Sequence, residues 1–180
     1  MGAAYSLPTM PDTASPLDRD LYDRDFFAWT QDQAARLRAW PEHLRPNGID
    51  VANLVEEVES LGKSDRRAIE SFLEFVVLHV LKLEFHPERQ AQRHWMREVN
   101  TFRASLRRLY RQNPSLQAQR ADMLVEVWRD ALGDFRRDLA VDAPEHVAGF
   151  DAILPPDSAP RYDVDTEILA DGWYPPPHAG

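Results

Sequence analysis

Three groups of side chains have types and spacings that could do chemistry. Glu56, Glu57 and Glu59 crowd one segment, and at about 100° per residue Glu57 and Glu59 flank an apolar stripe while Glu56 points away from it. Paired carboxylates can hold a divalent cation or exchange protons. Ion pairing with Arg66, Arg67 or an arginine-rich helix is the commoner use of such a cluster. His79, Lys82 and His86 share one edge of the next segment, beside Phe75 and Leu83, where an imidazole could ligate a metal or shuttle protons. An acid/base or metal-dependent enzyme would draw on Glu56, Glu59, His79 and His86 if folding brought the two segments face to face. No histidine has a glutamate three residues before it, and His-Glu-x-x-His is absent, which argues against a di-iron bundle and a zinc protease. A hydrogen-bonded core histidine is the favoured reading, with no metal and no cofactor expected.

The third group is cationic. Arg89, Arg93, Arg97, Arg103, Arg107, Arg108 and Arg111 fall within roughly 80–220° of a helical projection centred on Trp95, along roughly 35 Å of helix. Arginines four apart (89/93, 93/97, 103/107, 107/111) repel, at a cost of roughly 0.2–0.5 kcal/mol per pair in an isolated helix. A negative neighbour would relieve that cost. The favoured candidate is the chain itself, next an acidic partner protein or a second copy, and last nucleic acid, whose phosphates arginine binds bidentately.

Charge distribution sharpens this reading. The chain carries −9 overall, yet residues 87–120 hold eight arginines against two glutamates, and residues 142–180 hold eight acids against one arginine. The net charge and the lack of a nucleic-acid motif count against nucleic acid. There is no Gly-rich phosphate loop, no Gly-x-Ser-x-Gly elbow and no evident nucleophile–base pair. The absence of cysteine excludes disulfides and thiolate sites and agrees with a reducing, cytoplasmic setting. No stretch is apolar enough to cross a bilayer, the acidic first 20 residues do not indicate a signal peptide, and Met1–Ser6 fits a myristoylation pattern loosely enough to be chance.

The elements that must position these groups are helices. Helix one is expected from Asp18 or Asp20 to Pro41, with Tyr22, Phe26, Trp29, Gln33 and Leu37 at helical spacing. Asp50 should cap helix two (Val51, Leu54, Val55, Val58, Leu61), which Gly62 should end. Ser64 should cap helix three, apolar almost all round from Ile69 to Phe85 and therefore central. Helix four should open at Pro87 and carry Trp95, Val99, Phe102, Leu106, Leu109 and Tyr110; helix five carries Leu124, Val127, Trp128, Ala131, Phe135 and Leu139. No run alternates with period two, so strands are not expected. After Val141, prolines forbid long helices, yet Phe150, Ile153, Leu154, Ile168, Leu169, Trp173 and Tyr174 are too apolar for a free linker. An extended strap with one short helix near Asp165–Ala170 should dock on the bundle.

With the helices laid out, four strings in order, YDRDFFAWTQDQAARLR (22–38), DVANLVEEVESLGKSDRR (50–67), LHVLKLEFHPER (78–89) and NPSL (113–116), resemble the bacterial family called domain of unknown function 29. The tail YDVDTEILADGWYP (162–175) resembles a diverged form of its C-terminal segment. The resemblance implies a helical bacterial protein and no particular activity.

The expectation is an all-α protein: a flexible arm over 1–17, one bundle of about five helices over 18–140, and a strap over 141–180. Its biochemical activity is unknown. The favoured role is a non-enzymatic, cytoplasmic interaction module, whose arginine face meets its own strap, a homodimer mate or another acidic protein surface, and no membrane. The aromatic residues on the stripes should be core. Trp40, Trp173 and Tyr174, outside the stripes, would seat the strap or a partner.

Overall fold

The structure is a computed structural model that describes residues 16–178. The arm and the motif at Met1–Ser6 lie outside the described residues, apart from Pro16 and Leu17, which open the first helix. Among the described residues every regular element is helical. They are α1 (Pro16–Arg24), α2 (Phe26–Ala39), α3 (Val51–Phe85), α4 (Gln92–Gln112), α5 (Pro114–Ala118), α6 (Arg120–Asp142) and α7 (Val147–Ile153), with a π-type turn at Val164–Ile168. No helix is long and apolar enough to cross a membrane.

Helices two and three of the sequence reading are one helix. α3 runs for 35 residues, roughly 52 Å, and passes straight through Gly62. Gly62 serves an approach between helices rather than a helix end: a Cβ there would lie 2.2 Å from Thr30 Oγ1 and 3.2 Å from the Phe27 ring. A mid-helix glycine costs about 1 kcal/mol relative to alanine, which the close seating of α2 on α3 offsets. Thr30 is fully buried at this contact, its hydroxyl turned back onto the Phe27 carbonyl (2.7 Å).

The expected first helix is instead two, broken at Asp25, whose extended backbone ends α1 and caps α2. Asp25 Oδ1 accepts from Ala28 N–H (3.0 Å), and Oδ2 accepts from Ser115 N–H (2.6 Å) at the start of α5. Asn113 returns the favour, accepting from Phe27 N–H (2.8 Å) while its amide donates to Asp65 (3.0 Å). Two helix N-termini thus exchange caps across 86 to 90 residues of chain, satisfying donors that the helices themselves cannot. The break also turns the aromatic stripe outward. Tyr22 is exposed, and Tyr22, Phe26 and Trp29 pack on one another, while the small residues Thr30 and Ala34 face α3. Leu54 and Leu61 are likewise exposed, so the inner face of that half of α3 reduces to Val51, Val55 and the partly buried Val58, in a small cluster that Trp40 joins.

The main core lies at the other end of α3. α4 runs antiparallel to α3, pairing His86 with Trp95 and Phe72 with Phe102. α6 runs parallel to it, as the pairs Arg66–Glu126 and Lys82–Asp138 show. Every apolar residue expected on the fifth helix, from Leu124 to Leu139, is buried in this core. α4 begins later than expected, at Gln92, because the turn after Pro87 is held by Glu88 N–H on His86 Nδ1 (3.1 Å) and Gln90 N–H on Glu88 (2.7 Å).

The tail is not wholly extended. α7 fits between Pro144 and Pro155, and its Phe150 packs edge-on against Phe135 and Phe85. Tyr162, Val164 and Ile168 join the same core, and Trp173 packs on Tyr162.

Gly62→Ala should lower stability by about 1–3 kcal/mol despite alanine's better helix propensity. Thr30→Ala in the same chain should recover part of that loss. Urea denaturation of both single variants and the double variant tests the contact, and purely additive losses would show that Gly62 and Thr30 do not share a clash.

Candidate functional site

The acidic and histidine candidates do not converge. Glu59 and His79 lie 20 residues apart on the continuous α3, roughly 30 Å along its axis. Glu59 pairs with Arg38 (2.6 Å) and Lys63 (3.4 Å), and the Arg38 bond holds its carboxyl below the usual range; Glu56 is exposed. His79 shares a hydrogen through Nδ1 with the Phe75 carbonyl (2.8 Å) and lies against Phe102. His86 is buried beside Trp95, with Nε2 facing Asp142 at 3.6 Å. Glu59, His79 and His86 each have a local structural partner. Among the described residues no group of three or more His, Cys, Asp or Glu comes together to hold a metal ion.

The arginine face divides in two. Arg103 is 1% exposed, at the edge of the core stripe two turns before Tyr110. Its guanidinium donates to three main-chain carbonyls of the strap: Nε to Ile168 (2.7 Å), Nη2 to Glu167 (2.8 Å) and Nη1 to Trp173 (2.9 Å). Tyr174 lies over it at 5.6 Å and donates its hydroxyl to Asn100 (2.8 Å). Burial pulls this guanidinium below its ordinary range, opposed by the nearby Tyr174 and Asp171. Arg107 pairs with Asp171. Arg89, Arg93, Arg97, Arg108 and Arg111 are exposed and pair with no carboxylate among the described residues. Arg89 precedes α4, so the helical face is shorter than expected.

Four further contacts seat the strap. Glu84, buried in α3, accepts from the Tyr162 hydroxyl (2.5 Å) and from Arg161 Nη2 (2.8 Å). Burial, reinforced by that carboxylate, pushes the Tyr162 phenol well above the usual tyrosine range. Arg120, first residue of α6, grips Asp165 through both oxygens (2.6 and 2.7 Å), and this bond holds the Asp165 carboxyl below the usual range. The His178 amide donates to the Glu84 carbonyl (2.7 Å). Trp173 and Tyr174 therefore seat the strap, while Trp40 packs elsewhere, between α2 and α3. Sequence reasoning missed Glu84, Tyr162, Arg161 and Arg120. One signal was available: Glu84 is a carboxylate inside a run that is otherwise apolar almost all round, and such a charge demands a partner.

The fold and these contacts define an all-helical bundle sealed by a C-terminal strap that arginines hold. The chain belongs to the family described as Domain of unknown function DUF29, whose model matches residues 21–173. It is also similar to the crystal structure of an alpha-helical protein of unknown function from Rhodospirillum rubrum, with a TM-score of 0.62 and 22% identity over 84% of this chain and 90% of that one. That likeness bears on the fold alone. No curated protein matches the chain.

Two outcomes follow from the geometry. Arg103→Lys should cost roughly 2–4 kcal/mol in urea denaturation, since one ammonium cannot replace a planar fork that serves three carbonyls. Trypsin should then cut faster after the exposed Arg161; an unchanged midpoint and cleavage rate would show that the grip is dispensable. Burial holds both His79 and His86 below their ordinary value, against the opposing Phe75 carbonyl and Asp142 respectively. Below the unfolded histidine value of about 6.5 the unfolded chain takes up protons that the folded one resists, so acidification through that range lowers stability. The urea midpoint should fall from pH 7.5 to 5.5, less steeply in His86→Gln.

Proposed function

We propose that the protein is a non-enzymatic interaction module of the bacterial cytoplasm that docks an acidic protein surface on the outer face of α4. The observation that carries this reading is the exposed set Arg93, Arg97, Arg108 and Arg111, spread over about 27 Å of helix with no carboxylate partner among the described residues. The strap draws on the inner edge of the same helix, through Arg103 and Arg107, and leaves the outer face open. Like-charged residues on one exposed face oppose helix stability, and a complementary surface both relieves that repulsion and steers encounter. A net charge of −9 and no thiolate chemistry accord with a protein partner in a reducing compartment better than with nucleic acid. A second copy of this acidic chain is one such partner.

Charge reversal tests the reading. Arg93→Glu combined with Arg97→Glu should leave the urea midpoint within about 0.5 kcal/mol, because both side chains are exposed. The same variant should abolish salt-sensitive association with acidic proteins, or with a second copy in sedimentation. Arg129→Glu, exposed on α6, serves as the control and should keep that association. Equal retention by both variants, or retention of nucleic acid alone by the wild type, would overturn the proposal.

A further inference from the structure

A cavity of about 300 Å³ opens where α4, the start of α6 and the strap turn meet. Arg103, Arg107, Arg111 and Arg120 line it with Tyr110, and Asp165 is the single carboxylate in its wall. Arg103 spends hydrogen-bond donors on main-chain carbonyls, so no carboxylate cancels its charge at contact. Arg111 is exposed and has no carboxylate partner among the described residues. Asp165 holds Arg120 and Asp171 holds Arg107. Four arginines stand against Asp165 and Asp171 at contact, with Asp163 acting on Arg120 from further off, so the cavity keeps an excess of positive charge.

A second feature, independent of the arginines, is an unpartnered hydroxyl in the cavity wall. Tyr110 forms part of the wall, is 4% exposed, and its hydroxyl is shut off from solvent without a hydrogen-bond partner. A buried, orphaned hydroxyl costs free energy comparable to a lost hydrogen bond, and native structures rarely leave one so. Burial pushes this phenol up to about 12, with Arg120 and Asp165 close enough to act on it in opposite directions. The hydroxyl is therefore a neutral donor at every physiological pH, set beside the guanidinium fork of Arg120.

We infer that this cavity binds a doubly charged phosphate group, either free phosphate or a small phosphate monoester. A dianion balances the excess charge. The planar forks of Arg111 and Arg120 match phosphate oxygens, and the Tyr110 hydroxyl, closed off while Asp165 holds Arg120, gains an acceptor as that turn gives way. The volume lies at the small end of ligand pockets and suits a small molecule. Asp165 now occupies the Arg120 fork as an internal anion, so the ligand competes with it and binding acts on the strap turn Val164–Ile168, to which Asp165 belongs.

The cavity shares Arg111 with the outer face of α4 but does not include Arg93 or Arg97, so the Arg93→Glu and Arg97→Glu variant leaves it intact and the two tests stay distinguishable. Inorganic phosphate and glycerol 2-phosphate are titrated into the full chain at constant ionic strength, with sodium chloride as the reference, followed by thermal unfolding and by calorimetry. Saturable stabilisation by at least one phosphate species beyond the chloride reference is expected. A response to the inorganic ion alone or to both identifies phosphate itself as sufficient, and a response to glycerol 2-phosphate alone identifies the monoester. Arg111→Gln, an exposed position whose change should leave the fold intact, should weaken binding roughly tenfold. Asp165→Asn should tighten it by removing the competing carboxylate. Stabilisation matched by chloride, or binding that Arg111→Gln leaves unchanged, would overturn the inference.

Discussion

The strap depends on a cation buried without a carboxylate at contact. Taking a guanidinium out of water is expensive, and it is tolerated only where its donors find acceptors of good geometry. Arg103 finds them in the carbonyls of Glu167, Ile168 and Trp173. Two of these belong to the closing residues of the Val164–Ile168 turn, where main-chain carbonyls lack helical partners of their own. Each side thus supplies what the other lacks, and neither could be buried alone. The surrounding ion pairs, Arg107–Asp171 and Arg120–Asp165, are more exposed and add placement more than energy.

The α1–α2 unit is held by a different device with the same logic. Asp25 and Asn113 each satisfy amides of a helix start that is remote in sequence, and Asp65 of α3 joins them through the Asn113 amide. This ties the α1–α2 unit to the α4–α5 corner where the Gly62 contact alone would fix only the distance between α2 and α3. α3 runs under both devices, which is why a small cluster around Val51 and Val55 and the large core around Leu73 and Val80 form a single body.

Much of the fold was legible in the sequence because helical periodicity is a local signal. The α6 stripe from Leu124 to Leu139 and the α4 stripe around Trp95, Val99 and Leu106 are buried as their spacing implies. The misreadings share one cause. Glycine at position 62 has a local meaning, helix end, and a tertiary one, close approach, and only the neighbour Thr30 decides between them. The same holds at Asp25, which lies inside the single helix that periodicity implies until Ser115 arrives to share its carboxylate. At the candidate site the sequence showed which helix carried the arginines, but not that Arg103 faces inward while Arg93 and Arg97 face out. A spread of about 140° on a helical projection spans both environments. The pairing of Glu84 with Tyr162 across 78 residues had no local signature beyond the oddity of the carboxylate itself.

The grip of Arg103 has one more implication. Because it reads the main chain, it makes no demand of its own on which side chains stand at 167, 168 and 173. Even proline retains the carbonyl that the guanidinium needs. The three positions can drift under whatever other pressures they meet, whereas the arginine has no equivalent among the twenty residues. A tail can therefore diverge in its letters and still be fastened in the same place.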